Sequence, residues 1–288
     1  MPVLPTCPCL SCPTHGSGVA RPCSGYPSSI SDEQWALLES LLPPPGNTAG
    51  KGGRGEKHPR RLVLDAIFYL VRGGIAWAAL PTDFPPAKTV YDIFRRWTKL
   101  GAWHRINDAL RERVRVGEGR KATPTAAVID SQSVRAADTV HTPTRGWDNG
   151  KKVGGRKRHI AVDTLGLLLA VVVTAASTQD RDGAHRLLAL LREKFSTITL
   201  TWADAGYTGR LVLWASTVLT MTIRIVKRTD PGFVVLPRRW VVERTLAWIS
   251  KHRRCVRDYE TLPTHHEAMV QLAMIMTMSR RLARTSTQ

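Results

Sequence analysis

Residues 238–254 read RRWVVERTLAWISKHRR, and they place a single carboxylate, Glu243, inside a dense run of positive charge. At 100° per residue, one side of a helix here carries the apolar residues Val242, Leu246, Ile249 and Val256. Another side carries Arg239, Glu243 and Arg254. Such a helix can pack on a core and still face a polyanion. A solvated amphipathic helix with an incidental Glu–Arg pair fits the stretch equally well, so the rest of the chain decides.

The composition indicates a globular protein with a strongly anionic partner. The chain has 288 residues, of which 43% are hydrophobic, enough for one large domain and a smaller one. A net charge of +19 and a pI near 10.5 favour nucleic acid first and an anionic membrane second. The longest apolar run, residues 165–176, is too short for a membrane helix of about 20 residues and predicts a buried strand. With no secretion signal evident, we expect a cytoplasmic, nucleoid-associated protein and no membrane partner.

Residues 1–28 form a tail rich in Pro, Gly, Ser and Cys, for which the composition predicts disorder. Four cysteines lie in this tail with His15 nearby, at positions 7, 9, 12 and 23. A small zinc site is one interpretation, but the tail has no second CxxC or HxxxH pair. Cys255 is predicted to be a lone reduced thiol on the basic helix.

Residues 29–119 predict a small all-α domain. Ser31 is the predicted N-cap of a first helix. The stretch LVLDAIFYLVRGG, from residue 62, has the apolar spacing of a second helix, which is predicted to end at its glycine pair. After a Pro-rich turn, a further helix carries Lys88, Arg95, Arg96 and Lys99 among apolar residues. This pattern resembles a helix-turn-helix unit whose basic helix, through Arg95 and Arg96, meets DNA. An ordinary helical bundle with exposed Arg stems fits equally well.

Residues 123–288 predict an α/β domain in which two acids end apolar strands. TAAVID ends at Asp130 and STITLTWAD ends at Asp204, while Glu243 lies on the later helix. Each Asp alone is most simply a turn residue or a cap. If the two strands are parallel neighbours, however, the carboxylates lie side by side and need cations to neutralise them. Hard oxygen ligands favour Mg²⁺ or Mn²⁺. Two such ions about 4 Å apart support in-line attack on a phosphodiester.

The order and spacing of several motifs resemble the IS5 family of insertion-sequence transposases, DDE enzymes with a ribonuclease-H-like catalytic core. The resemblance covers Ser31 to Arg284. The matching stretches are WxxLxxLLP and GxxWxxLPxDFPP, IDSQSV at Asp130, GRKRHIAVDTLGLLL, ADAGYTG at Asp204, and LPRRWVVERTLAWISKHRR at Glu243. The family implies a ribonuclease-H-like mixed sheet flanked by helices and a metal-binding catalytic triad of Asp130, Asp204 and Glu243.

The resemblance also implies DNA as substrate: terminal inverted repeats that are cleaved and joined through their 3′-hydroxyls to target DNA. Synapsis of two ends implies a homodimer, and no small-molecule substrate is expected. Arg239 matches the arginine of the family's Tyr–Arg–Glu–Lys signature, whereas the Tyr and Lys positions hold Leu236 and Ser250. Lys251, one residue later, lies about 80° from Glu243 on a helix and is the expected replacement.

Other residues have competing interpretations. The basic run Arg156, Lys157, Arg158 and His159 is expected to contact phosphate, although a basic run is often only solvated surface. Asp163 is expected in a turn rather than at the metal site, and Trp202 in the core rather than on a base. Tyr207 is a weak alternative as a covalent nucleophile.

Two rival functions share these features. A DNA-binding protein without catalysis would need only the basic residues. A nuclease of the ribonuclease-H type would share the metal site but would not join strands. Detection of joined product separates the second rival from a transposase.

Overall fold

A computed structural model describes residues 25–45, 55–226 and 237–285, with the side chains of residues 237–239 left out. The predicted tail, residues 1–28, lies outside the described part except for residues 25–28, and the residues proposed for a zinc site lie wholly outside it. Within the described residues, no helix is both long and apolar enough to cross a membrane.

In its described residues the N-terminal region is all-α, as the sequence predicts, and contains four α-helices. They are α1 (Asp32–Leu38), α2 (Arg60–Gly73), α3 (Ala87–Lys99) and α4 (Ala102–Gly117). Ser31 and Gln34 form a reciprocal capping box that begins α1. Gly74, with φ of 74°, accepts the left-handed conformation that ends α2.

The strands of the second region form one mixed sheet. They are β1 (Ala126–Arg135), β2 (Gly146–Asp148), β3 (Val153–Val162), β4 (Leu168–Ala175), β5 (Leu200–Ala203) and β6 (Thr222–Ile225). In the sheet, β3 lies between β4 and β1 and is antiparallel to both. β5 lies next to β1 and β6 next to β5, and both of these pairs are parallel. The short β2 pairs with the start of β3 and forms a hairpin with it.

Helices cover both faces of this sheet. They are α5 (Asp180–Lys194), α6 (Arg210–Val218), α7 (Pro237–Ser250) and α8 (Pro263–Thr285). On one face, α5 and α6 pack on Ile129 and Ala203; on the other, α7 and α8 pack on Val128 and Trp202. The alternation of side chains along β1 therefore separates two cores. This mixed α/β architecture is that of a ribonuclease-H-like domain preceded by helices, as predicted.

The N-terminal helices share a core with the second region. Phe68, Phe94 and Trp103 belong to the same buried cluster as Met274 of α8 and Val242 of α7. Because α8 is buried along most of its length, it serves as a common support for both parts. The division of the chain into domains at residues 29–119 and 123–288 stays a prediction.

Two element boundaries differ from prediction. β1 does not end at Asp130 but continues to Arg135, because the polar SQSVR segment pairs antiparallel with β3. α7 ends at Ser250 rather than continuing to Arg254. The chain turns there because buried Arg254 is held by Glu260 at 2.8 Å and by the carbonyl oxygen of Ile75 at 2.8 Å. Val256, predicted on the apolar side of the helix, is therefore off the helix and 59% exposed.

Candidate active site

Asp130 and Asp204 follow the last paired residues of two neighbouring parallel strands. β1 and β5 pair up to Val128 and Trp202, and each aspartate comes two residues later, Asp204 just past the end of β5. Side chains alternate along a strand, so Asp130 points to the same face as Val128. That face packs against α7, because Val128 and Trp202 share a buried cluster with Val242. Asp130 lies inside its strand and Asp204 just past the end of its own, and their pairing as metal ligands stays a prediction.

Glu243 lies on the helix that covers this face. Val242, Leu246 and Ile249 are buried on the sheet side of α7, and Glu243, next to Val242, is exposed to solvent. The apolar positions of the predicted helix therefore face the core. Glu243 therefore lies on the helix that covers the Val128 face, and its membership of a triad with Asp130 and Asp204 stays a prediction.

The turn between β3 and β4 fixes α7 in place. The Thr245 hydroxyl donates to the carbonyl oxygen of Gly166 at 2.7 Å, and the Arg244 guanidinium donates to that of Leu165 at 2.8 Å. Gly166 has φ of 82°, and a Cβ there would lie 2.8 Å from Oγ1 of Thr245. Only glycine therefore allows this close approach of helix and turn.

Backbone amides orient both aspartates. The Asp130 carboxylate accepts from the amide of Ser131 at 2.7 Å, and that of Asp204 accepts from the amide of Gly206 at 2.9 Å. Asp204 thereby caps a short 3₁₀ turn at the end of β5. Carboxylate oxygens are the donors that Mg²⁺ and Mn²⁺ prefer, so the chemistry of the set fits a hard divalent ion. In the described part of the chain, however, no three His, Cys, Asp or Glu side chains are close enough to hold a metal ion.

A buried polar network lies on the other face of β1, directly behind Asp130. The Ser131 hydroxyl donates to Asp180 at 2.7 Å, and the Lys157 ammonium pairs with Asp180 at 2.8 Å and with Asp148 at 3.3 Å. Burial raises the pKa of Asp180, but the hydrogen bonds from Lys157 and Ser131 outweigh it and leave that pKa below its usual value. The network ties the first turn of α5 to the strand that carries Asp130.

Tyr207 lies beside these acids and is 1% exposed. Burial, followed by the charges of Asp130 and Asp180, holds the pKa of its hydroxyl well above the usual value. A phenol that resists ionisation is a poor nucleophile. Tyr207 therefore serves as a buried neighbour of the acids and not as an attacking group.

The basic run on β3 is interior, which corrects the expectation that it contacts phosphate. Arg156 pairs with Asp258 at 3.0 Å, Arg158 donates to the carbonyl oxygen of Cys255 at 2.9 Å, and Lys157 belongs to the network above. His159 is fully buried, and burial lowers its pKa to about 4. Buried cations need protein partners to offset lost hydration, and Arg156, Lys157 and Arg158 each have one. We therefore assign all four side chains to the structure of the sheet.

The other predicted DNA contacts are differently placed. Arg95 and Arg96 are on the exposed side of α3, with side chains 58% and 50% exposed. Lys251 is exposed just after α7 ends. Arg239 is in the first turn of α7, but its side chain is outside the described part of the molecule. These four contacts stay predictions.

Other predictions from single residues are confirmed. Asp163 is a buried turn residue that accepts from the amides of Leu165 and Leu167 and pairs with Arg115. Trp202 packs in the core. Cys255 is a free thiol as predicted, and burial raises its pKa to about 12, but it lies in a 3₁₀ turn beyond α7 and not on the basic helix.

The sequence interpretation missed Asp148 and Asp180, which lie behind the site. Asp180 opens α5 and reads as an ordinary helix-start acid, and Asp148 begins a D-N-G turn. A buried Lys157 that pairs with both acids can be foreseen only once β1 and β3 are paired.

A mixed sheet with this strand order, covered by helices on both faces, defines a ribonuclease-H-like domain. Comparison with known proteins agrees. One family model, "Transposase DDE domain", matches residues 121–278, and another, "Putative transposase of IS4/5 family", matches residues 30–107.

Three relatives from two bacteria match parts of the chain. The "Insertion element IS402 uncharacterized 16.2 kDa protein" of Burkholderia cepacia is 32% identical over 115 residues, 37% of this chain and 73% of the relative. The "Putative transposase for insertion sequence element IS402" of the same organism is 29% identical over 153 residues, 50% of this chain and 70% of the relative. The "Uncharacterized protein y4sN" of Sinorhizobium fredii is 31% identical over 107 residues, 37% of this chain and 76% of the relative. The chain belongs to the IS4/5 family of DDE transposases.

Proposed function

We propose that this transposase binds the terminal inverted repeats of its insertion sequence, cleaves at the ends and joins the 3′-hydroxyls to target DNA. The parallel pairing of β1 with β5, with Asp130 and Asp204 each two residues beyond its last pair and the helix of Glu243 packed over it, is the observation that supports this most directly. A homodimer that holds two ends together is part of the proposal.

Asp130, Asp204 and Glu243 are the residues that would hold two divalent ions, Mg²⁺ or Mn²⁺. When bound, these ions activate the attacking hydroxyl and stabilise the leaving oxygen of the phosphodiester. The amides of Ser131 and Gly206 orient the two aspartates, and the contacts of α7 with Leu165 and Gly166 set the position of Glu243.

The cations proposed to hold DNA are exposed ones. Arg95 and Arg96 on α3 and Lys251 beyond α7 are accessible, and Arg239 is proposed from its position in the family signature. Phosphate contacts of this kind position the duplex and do not read its sequence.

The test replaces each acid singly: Asp130→Ala, Asp204→Ala and Glu243→Ala. Purified variants are incubated with Mg²⁺ and a supercoiled plasmid carrying the inverted repeats that flank the coding sequence. We expect nicking and joined product to fall by at least about a thousandfold, because metal and charge are lost at the reacting phosphate. DNA binding in EDTA should stay the same or strengthen.

Asp138→Ala is the matched control, since Asp138 is an exposed acid on the same domain. It should retain wild-type nicking and joining. Strand transfer by the Asp204→Ala protein would overturn the proposal. Nicking by the wild-type protein without joined product would replace the transposase with a nuclease.

A further inference from the structure

A cavity lined by cations lies where the N-terminal helices meet the turn that follows α7. It has a volume of about 460 Å³ and lies between that turn, the end of α2 and the segment before α1. Arg72, Lys251 and Arg253 line it, together with Ser28 and Tyr69. The three cationic side chains are exposed, so their charges are accessible to a ligand from solvent.

The backbone around the cavity is tightly packed. Gly74, which ends α2, lies so close to Arg253 that a Cβ added to it would be 2.7 Å from Cβ of Arg253. The Arg72 guanidinium donates to the carbonyl oxygen of Lys251 at 2.9 Å. The end of α2 and the turn after α7 are therefore held together, and each supplies a cation to the same cavity.

Positive charge accumulates at this cavity. Arg280 of α8 lies beside it, since its guanidinium donates to the carbonyl oxygen of Pro27, a lining residue, at 2.9 Å. In residues 25–45, 55–226 and 237–285, no carboxylate forms an ion pair with Arg280 or with the three lining cations. Burial, followed by the charges of Arg72 and Arg284, lowers the pKa of Arg280. Cations this close repel one another, and a bound anion relieves that repulsion.

The lining favours a phosphate group over a ligand with an aromatic ring. Arginine guanidinium groups bind phosphate through two parallel hydrogen bonds, and a lysine adds a point charge. Tyr69 is the aromatic residue of the lining, and its ring packs against Tyr26 and Phe84, with centroids 4.6 and 5.4 Å away. Because these neighbours already occupy it, the ring is a poor platform for a nucleobase.

We propose that the cavity binds one backbone phosphate of the DNA substrate, held jointly by Arg72 of α2 and Arg253 of the turn after α7. Lys251 follows Glu243 by eight residues, roughly 12 Å along the helix direction at about 1.5 Å per residue. A phosphate bound here therefore fixes the DNA relative to both the N-terminal helices and the helix of a candidate catalytic acid. The inference rests on the proposed function for the identity of the ligand.

The test measures DNA binding by fluorescence anisotropy in EDTA, where no chemistry occurs. A series of duplexes carries the flanking inverted repeat, each with a single phosphate replaced by an uncharged methylphosphonate. The wild-type protein should lose about tenfold in affinity at each phosphate that it contacts, because a charge-assisted hydrogen bond is lost there. Arg72→Ala and Arg253→Ala should each lose that sensitivity at one phosphate, the same one for both variants.

Arg257→Ala is the matched control. Arg257 is an exposed arginine close to Arg253 in the chain, and like Arg72 it donates to a backbone carbonyl oxygen, that of Ala136 at 2.9 Å. It does not line the cavity, so its variant should keep the wild-type loss at the shared phosphate. Arg72→Gln retains a donor for the Lys251 carbonyl oxygen and repeats the test if thermal unfolding shows that Arg72→Ala is not folded.

Three results would overturn the inference. The two variants could keep the wild-type pattern, or they could lose sensitivity at different phosphates, which would mean two separate contacts. Pyrophosphate at constant ionic strength could also protect the wild type but not Arg72→Ala against thermal unfolding, while both proteins bind every duplex alike. That result would assign the cavity to a free phosphate compound. If one shared phosphate is found but the wild type joins no DNA, the proposed function fails and the phosphate site stands.

Discussion

Asp65 is an acid that the fold keeps in its interior. It is 7% exposed on α2, and it accepts a hydrogen bond from the amide of Ile30 at 2.7 Å. Burial raises its pKa to about 6, and the bond from Ile30 offsets only part of that rise. Asp148 has the opposite balance, since its hydrogen bonds and Lys157 lower its pKa to about 2. Hydrogen-bond donors, more than burial alone, decide which of these carboxyls ionises readily.

The raised pKa of Asp65 predicts a pH-dependent stability. Below pH 3.8, its ordinary value, the carboxyl is protonated in both folded and unfolded chains. Between pH 3.8 and about 6 the unfolded chain ionises first, so this residue's contribution to the free energy of unfolding falls as pH rises. Asp65→Asn keeps an oxygen that can accept from Ile30 and removes the charge. We expect it to raise the free energy of unfolding at pH 7, by up to about 3 kcal/mol.

Urea unfolding at pH 3.5, 5 and 7 checks this. Asp92→Asn makes the same change at an exposed position of α3 and should leave stability within about 0.5 kcal/mol at each pH. A destabilised Asp65→Asn protein at pH 7 would contradict the expectation, because it would mean that the ionised carboxylate is the favoured partner of Ile30.

At the scale of the element, the position of helix α7 depends on Gly166, which lies outside it in the turn between β3 and β4. Gly166→Ala places a methyl group 2.8 Å from the Thr245 hydroxyl and also forces a side chain into a φ of 82°. We expect the helix to shift away from the turn, which lowers stability and moves Glu243 relative to Asp130. Strand transfer should fall more than stability alone explains.

Gly119→Ala separates the effect of a strained backbone from the effect of the clash with Thr245. Gly119 also has a positive φ, 67°, but a methyl group added there would have nothing within 4 Å of it. The variant should lose only about 1 kcal/mol of stability from the strained backbone and retain full strand transfer. Both variants are assayed at a temperature at which thermal unfolding shows them folded. Equal transfer by the two proteins would show that Thr245 and Gly166 do not position the site.

The elements themselves were largely predictable, because periodicity and caps are local properties of the sequence. Ser31 and Gly74 bound helices as predicted, and WAD at residues 202–204 ends a strand. The extension of β1 past Asp130 was not predictable, since SQSVR is polar and gains its pairing only from β3. For the same reason the sequence predicted that the basic side chains of β3 are exposed. Their acidic partners, such as Asp258 and Asp180, come from distant parts of the chain.

At the scale of the whole molecule, the net charge of +19 overstates the charge available to DNA. Arg111, Arg115, Arg156, Arg158 and Arg254 are buried and are held by protein acceptors. Buried cations stabilise particular contacts of the fold, whereas only exposed ones can displace counterions from a phosphate backbone. The two groups cannot be told apart by composition.

Exposed arginines on α3 therefore predict a measurable salt effect. Arg95 and Arg96 make long ion pairs, at 3.8 Å to Asp92 and 3.7 Å to Glu56, and Arg95 lies 5.9 Å from the centre of the Tyr91 ring, all on the exposed side of α3, so their loss should hardly affect folding. If both contact phosphates, Arg95→Ala/Arg96→Ala lowers the slope of log K against log salt by about 2, because each contact contributes about 0.9. Fluorescence anisotropy with an inverted-repeat duplex at several salt concentrations measures this slope. Arg113→Ala, at an exposed position of α4, should leave it unchanged. An unchanged slope in the double variant would place the DNA on another face and favour the plain helical bundle over a helix-turn-helix.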